Sequence, residues 1–126
     1  MHTLQSFGLL CLALLSGTAL GKVHDVNVGE NGFEFSPSNV TAAVGDHVNF
    51  HFYGGDHSVA QSLFKAPCQP SGPKPIFSGF INPTGYSQQA SVMFSMRVNS
   101  TAPIWLYCSQ VEHCQLGMAM VINPPA

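Results

Sequence analysis

Charge is scarce in this chain: 126 residues hold four Lys or Arg and six Asp or Glu, for a formal net charge of -2. So few cations make no basic stripe for nucleic acid and no polybasic cluster for an anionic membrane, and both partner classes are set aside. Helical periodicity is missing too, since no stretch beyond the N-terminus keeps a 3.6-residue apolar spacing for three turns. No internal repeat is visible, and the length suits one compact domain rather than two. After the first segment no long apolar run recurs, and the sequence stops at Asn-Pro-Pro-Ala without a hydrophobic tail. The expectation is therefore a mature chain with no transmembrane segment and no C-terminal lipid anchor. What is plentiful is apolar matter, 45% of residues including nine Phe, which argues for a folded core rather than disorder.

The first segment reads as an address. Phe7 to Leu15 is almost unbroken in its apolarity yet too short to cross a bilayer as a helix, and small residues follow at Ser16, Gly17, Thr18, Ala19 and Gly21. This is the pattern of a secretory signal peptide cleaved after Gly21, although Lys and Arg are missing from its start. The expected organisation is a signal over residues 1–21 and a secreted, extracellular domain over residues 22–126. In such a chain Asn39-Val40-Thr41 and Asn99-Ser100-Thr101 are acceptor triplets for N-linked glycan at Asn39 and Asn99.

Cleavage removes Cys11 and leaves Cys68, Cys108 and Cys114. An odd number in an oxidising compartment means one pair and one thiol with another task. Pairing Cys68 with Cys114 frees Cys108 for that task; pairing Cys108 with Cys114 is the alternative and strands Cys68. The chain-entropy model gives the first bridge roughly 4 kcal/mol.

The remainder reads as β structure throughout. Val23 to Val28 forms a strand, Gly29 to Gly32 a turn, and Phe33 and Phe35 alternate with Glu34 before Pro37 breaks the run. Asn39 to Val44 resumes. The clearest alternation follows Gly45-Asp46, with Val48, Phe50 and Phe52 on one face and His47, Asn49 and His51 on the other. After Gly54-Gly55-Asp56 another strand begins at His57. Ala66 to Gly85 is dense in Pro and Gly and reads as a long surface excursion, with one helical turn expected near Phe77 to Phe80. Val92, Phe94, Met96 and Val98 alternate again, and Ile104 to Cys108 and Met118 to Ile122 are short apolar runs. Roughly seven or eight short strands in a chain of this size make an all-β Greek-key sandwich or barrel, expected to be antiparallel.

Between the last two runs Cys108, His113 and Met118 recur at intervals of five. A thiolate, an imidazole and a thioether on one loop are soft and borderline donors, suited to copper and unsuited to calcium or magnesium. A fourth donor must come from elsewhere. His24 sits at the N-terminal edge, and His47 and His51 lie on a polar strand face where solvated histidines are ordinary. His57 follows two glycines at the mouth of a strand, where rim loops place functional side chains, and is the candidate second imidazole.

With Asp56-His57-Ser58-Val59, then Cys68, then Trp-Leu-Tyr-Cys-Ser-Gln-Val-Glu-His-Cys-Gln-Leu-Gly-Met from Trp105 to Met118, the sequence resembles the cupredoxins, or blue copper proteins. The likeness is greatest to the phytocyanin-like group and the secreted fungal cupredoxin domains, over nearly the whole mature chain. It implies one type 1 copper ion held by His57, Cys108 and His113, with Met118 as a weak axial ligand and a Cys68–Cys114 disulfide beside the site. It also implies a one-electron carrier, not an enzyme, since four protein ligands leave no vacant position for substrate. The chain departs from the family pattern at Ser58, where many members have Asn, so the hydrogen bond joining the two ligand segments is expected to differ. Phe52, Tyr107 and Leu116 are candidates to line the site, and Gly55, Leu116 and Gly117 to form an apolar docking patch. The partner would be a redox protein or a small-molecule reductant or oxidant met in small, transient encounters, by a monomer. A zinc site would find Met118 a poor fourth ligand. The rival of another class is an extracellular cupredoxin-like module that binds or sequesters copper, or binds no metal, without redox turnover.

Overall fold

The computed structural model describes residues 20–83 and 88–126, so the expected leader lies almost wholly outside them. The described residues form eight strands and no helix. In chain order these are β1 (Val23–Val28), β2 (Phe35–Ser36), β3 (Asn39–Val40), β4 (His47–Phe52), β5 (Ala60–Ser62), β6 (Met93–Arg97), β7 (Ile104–Tyr107) and β8 (Ala119–Ile122). They make two four-stranded sheets, ordered β2-β1-β4-β6 and β3-β8-β7-β5, an all-β sandwich as the alternation implies.

Alternation fixes which face is buried but not strand direction, and here the expectation of a wholly antiparallel sandwich is corrected. β1 runs parallel to β4, and β3 parallel to β8. The chain leaves the first sheet after β2, lends β3 to the second, and returns as β4; such a crossover delivers a parallel neighbour where a tight hairpin cannot. The parallel register sets Val26 beside Phe50 and Val28 beside Phe52, all four fully buried. Leu106, Met120 and Ile122 face them from the other sheet. Phe50 meets the edge of Phe35 at 6.5 Å and tilts against Phe94 at 5.9 Å. Each fully buried side chain of this size contributes about 1.5–3 kcal/mol. In β6 the inward positions are Phe94, Met96 and, just beyond the strand, Val98, whereas Val92 precedes the strand and is exposed.

The helical turn expected near Phe77 to Phe80 does not form. Instead the segment runs extended along the edge of β5: Gln61 N–H donates to Ile76 O at 2.9 Å, Ser78 N–H to Val59 O at 2.9 Å, and Ile81 N–H to His57 O at 2.9 Å. The free backbone groups of an edge strand offered partners that an isolated turn could not match, and the excursion also closes an edge otherwise open to aggregation.

At the end of the sandwich where β1 and β4 begin, Asp46 is buried and fully engaged. Its carboxylate accepts from Lys22 N–H at 2.9 Å and Ala43 N–H at 2.9 Å, and pairs with His24 Nε2 at 2.8 Å. His24, expected only at the N-terminal edge, is thus a paired residue within β1. The His24 hydrogen bond, followed by that from Ala43, lowers the Asp46 carboxyl from 3.8 to about 2. A depressed carboxylate stabilises the fold fully above its unfolded value and ceases to do so as pH falls through the folded one. Melting temperatures measured from about pH 5 to about pH 2 should therefore fall through the window between 3.8 and about 2, and Asp46→Asn should start lower and lose that step.

Candidate metal centre

β7 carries the chain to Cys108 and β8 carries it away from Met118, so the eleven residues between the two strands, 108–118, are a loop closing an antiparallel pair. The closure is tight: Cys108 N–H donates to Met118 O at 3.1 Å and Met118 N–H to His113 O at 3.0 Å. Inside it, one-turn hydrogen bonds run from His113 N–H to Gln110 O at 2.9 Å and from Gly117 N–H to Cys114 O at 2.9 Å. These bonds coil the loop so that His113 folds back over the sulfur: His113 Nδ1 lies 3.5 Å from Cys108 Sγ.

His57 arrives from the other side. Its backbone is pinned to Ile81, and its Nδ1 lies 3.8 Å from the same sulfur. The ligating atoms of His57, Cys108 and His113 all fall within 4.8 Å of one another. Nε2 of His57 is committed elsewhere, at 2.7 Å from Gly54 O, to which it donates its proton. That bond fixes the tautomer and turns the Nδ1 lone pair toward the sulfur, the orienting partner that metal-binding imidazoles usually have. Gly29 makes room for the ring: at φ +78° a Cβ there would collide with His57 Nε2.

Ser58 supplies the link that the family pattern assigns to Asn. Its hydroxyl accepts from Ser109 N–H at 2.9 Å and lies 2.7 Å from Ser109 Oγ, while its own N–H points at Cys108 Sγ at 3.4 Å. One residue thus ties both ligand segments and donates to the sulfur. Cys68 and Cys114 are disulfide-bonded, Cys114 immediately after His113, and Cys108 is the free cysteine among the described residues. The alternative Cys108–Cys114 pairing is thereby overturned.

Electrostatics prepare the donors. Burial pushes the Cys108 thiol above its ordinary value of 9.0, against the pull of amide donors from Ser58 and Gln110. Burial likewise lowers the His57 imidazole below 6.5, and His113 acts in the same sense, while the bond to Gly54 O opposes both. At neutral pH the pocket therefore offers an uncharged His57 imidazole and a protonated thiol that has amides waiting for its anion.

Met118 is fully buried under this cluster, its backbone joined to both Cys108 and His113. Phe52 is fully buried in the main core, to which Cys108 and Met118 also belong. Tyr107 does not line the site: by strand alternation Leu106 and Cys108 point inward, and Tyr107 packs on the outer face with Ala60 and Cys114. Leu116 is exposed. Phe33 was missed as a site residue. It stacks on His113 with ring centroids 4.2 Å apart and an interplanar angle of 26°, yet is 48% exposed. Its only sequence signal is an aromatic directly after a Gly-rich turn.

Comparison with known proteins places this geometry. No protein-family model matches the chain. Among solved structures it superposes on a purple cupredoxin from Nitrosopumilus maritimus with a TM-score of 0.60, over 79% of this chain and 96% of that one at 13% identity. Auracyanin B matches with a TM-score of 0.59, over 82% and 89% of the two chains at 11% identity. The chain belongs, by fold, with the cupredoxins. Two curated relatives from Arthroderma benhamiae agree in sequence: one named as a GPI-anchored cupredoxin, 37% identical over 96% of this chain, and one named as an extracellular serine-rich protein, 36% identical over 94%. The chain spans 61% and 45% of the lengths of those two proteins.

Gly29→Ala tests how closely the fold is built around His57. The added methyl meets the imidazole and the residue is forced to hold a positive φ, so the metal-free protein should lose about 2 kcal/mol in urea unfolding, with the His57 ring resonances displaced. Unchanged stability and an unmoved ring would show that the cradle tolerates a side chain.

Proposed function

We propose that this cupredoxin is a secreted or cell-surface type 1 copper protein that carries single electrons. His57, Cys108 and His113 would hold one copper ion, with the Met118 thioether as a further, weaker donor. The observation that carries the reading is the convergence of one free buried thiol and two Nδ1 atoms on a single point, a donor set suited to copper. Copper bound there supplies a centre that cycles between Cu(I) and Cu(II). The chain's own residues hold their positions through that cycle: Gly54 O keeps the His57 ring oriented, Ser58 N–H donates to the sulfur, and the sandwich interior excludes water. Ligands that scarcely move make the exchange fast.

Export belongs to the same reading. The names of the two relatives place them outside the cell or on its surface, and residues 1–21 have the composition of a signal. Asn39 and Asn99 are both exposed, as glycan acceptors must be.

The test is addition of Cu(II) to the purified mature domain. An intense blue colour that Cys108→Ala abolishes supports the proposal; a colourless protein with one titratable thiol supports the binding-module rival instead. Met118→Gln should retain the colour and lower the reduction potential, because a stronger axial donor favours the oxidised ion. Since binding displaces the Cys108 proton, copper affinity measured by competition should fall about tenfold for each unit of pH below neutrality, and a flat profile would contradict thiolate ligation.

A further inference from the structure

Cleavage after Gly21, where the leader is expected to end, would make Lys22 the first residue and turn its backbone N–H into a primary amine. The structure has already placed that atom. Lys22 N stands 2.9 Å from Asp46 Oδ1, and His24 Nε2 stands 2.8 Å from Asp46 Oδ2. An amine, an imidazole and a carboxylate thus meet where β1 and β4 begin. His57 lies beyond the other end of the six-residue β4, roughly 20 Å away along the strand. Asp46 is buried and the His24 side chain is 23% exposed, so the three groups are held by the fold and do not trail in solvent.

Their spacing is that of donors sharing one cation. Two atoms each about 2.1 Å from a metal ion and at right angles across it stand about 3 Å apart, and an ion between them takes the place of the bridging protons. The carboxylate is anchored independently, by Ala43 N–H at 2.9 Å. Lys22 O accepts from His47 N–H at 2.9 Å, while Val23 and His24 pair with His47 and Val48. Those residues therefore stay in the sheet instead of wrapping an ion with their own amides, and the donors are the terminus and two side chains. Leu20 and Gly21 occupy the approach. With Lys22, His24 and Thr101 they line a cleft of about 570 Å³, and Gly21 packs so closely on Gly45 O that a Cβ there would collide. Their removal opens the amine to ions.

We propose that signal removal creates a second metal site, in which the Lys22 α-amine, the His24 imidazole and the Asp46 carboxylate hold one divalent first-row cation, Cu(II) foremost. Two nitrogens and an oxygen without sulfur suit the divalent ion, and among these metals such a set binds Cu(II) most tightly. Binding releases the ammonium proton, and any proton on the imidazole, to solvent. The site rests on the export reading, which frees the amine, and not on the carrier reading.

Four chains test it: the domain beginning at Lys22, the same domain with Leu20 and Gly21 retained, and the Lys22 chain carrying His24→Gln or Asp46→Asn. Titrated with Cu(II), the Lys22 chain should take up two ions, the second broadening amide NMR signals of residues 23–26 and 43–48. The extended chain and His24→Gln should bind that second ion about a hundredfold more weakly, and Asp46→Asn about tenfold. The extended chain carries every residue of the fold, so it decides the matter even where a substitution costs stability. Any blue colour of the thiolate centre should be the same in all four. A second ion bound equally by all four chains, or broadening confined to the His57 end, would overturn the site. N-terminal sequencing of the secreted protein reads the cleavage point separately. A terminus other than Lys22 overturns that cleavage point and with it the site in the secreted protein, whereas a Lys22 terminus that binds no second ion overturns the site alone.

Discussion

A thiol sealed from water between two sheets is the constraint on which the site depends. Burial holds the proton on Cys108, so the sulfur is a poor anion until a cation arrives to stabilise it. The protein has already placed the compensating groups, an amide from Ser58 and two imidazole nitrogens within 4 Å of the sulfur. Such a pocket is costly for a bare thiolate and favourable for a thiolate bound to a soft cation. The same dryness lowers the His57 imidazole, so that its ring stands in the neutral form a metal requires.

The sandwich delivers those donors by topology rather than by local sequence. Because β1 and β4 run parallel, the turn after one and the loop after the other emerge at the same end, and Gly29 comes against the His57 ring. The β7–β8 pair brings Cys108 and Met118 to that end from the second sheet. Ser58 and the Cys68–Cys114 bridge then fasten the two approaches together, one by hydrogen bonds and the other covalently. Removing either sheet would leave the donors on separate flexible loops.

Much of this was legible in the chain. The alternation of Val48, Phe50 and Phe52 marked the inward face of β4, and the loop from Cys108 to Met118 marked two of the three side chains that meet, Cys108 and His113, because strand and loop patterns are local properties. His57 was legible from the glycines that precede it. Phe33 was not, since nothing near it in sequence mentions the histidine on which it lies. The helical turn near Phe77 was misread for a related reason: its backbone was claimed by an edge strand that no local window contains. Tyr107 was misplaced because the run Ile104 to Cys108 is apolar on both faces, and an unbroken run does not say which side is inside.

By itself the sequence determined the composition of the centre, its soft donors, its single spare thiol and the β character of the scaffold, all of which follow from residue types and short spacings. The tertiary structure decided the parallel pairings, the stacking of Phe33 on His113, the Ser58 link and the meeting of Lys22 and His24 at Asp46. These are contacts between segments far apart along the chain, set by which surfaces the packed sheets bring together, and no local pattern encodes such a meeting.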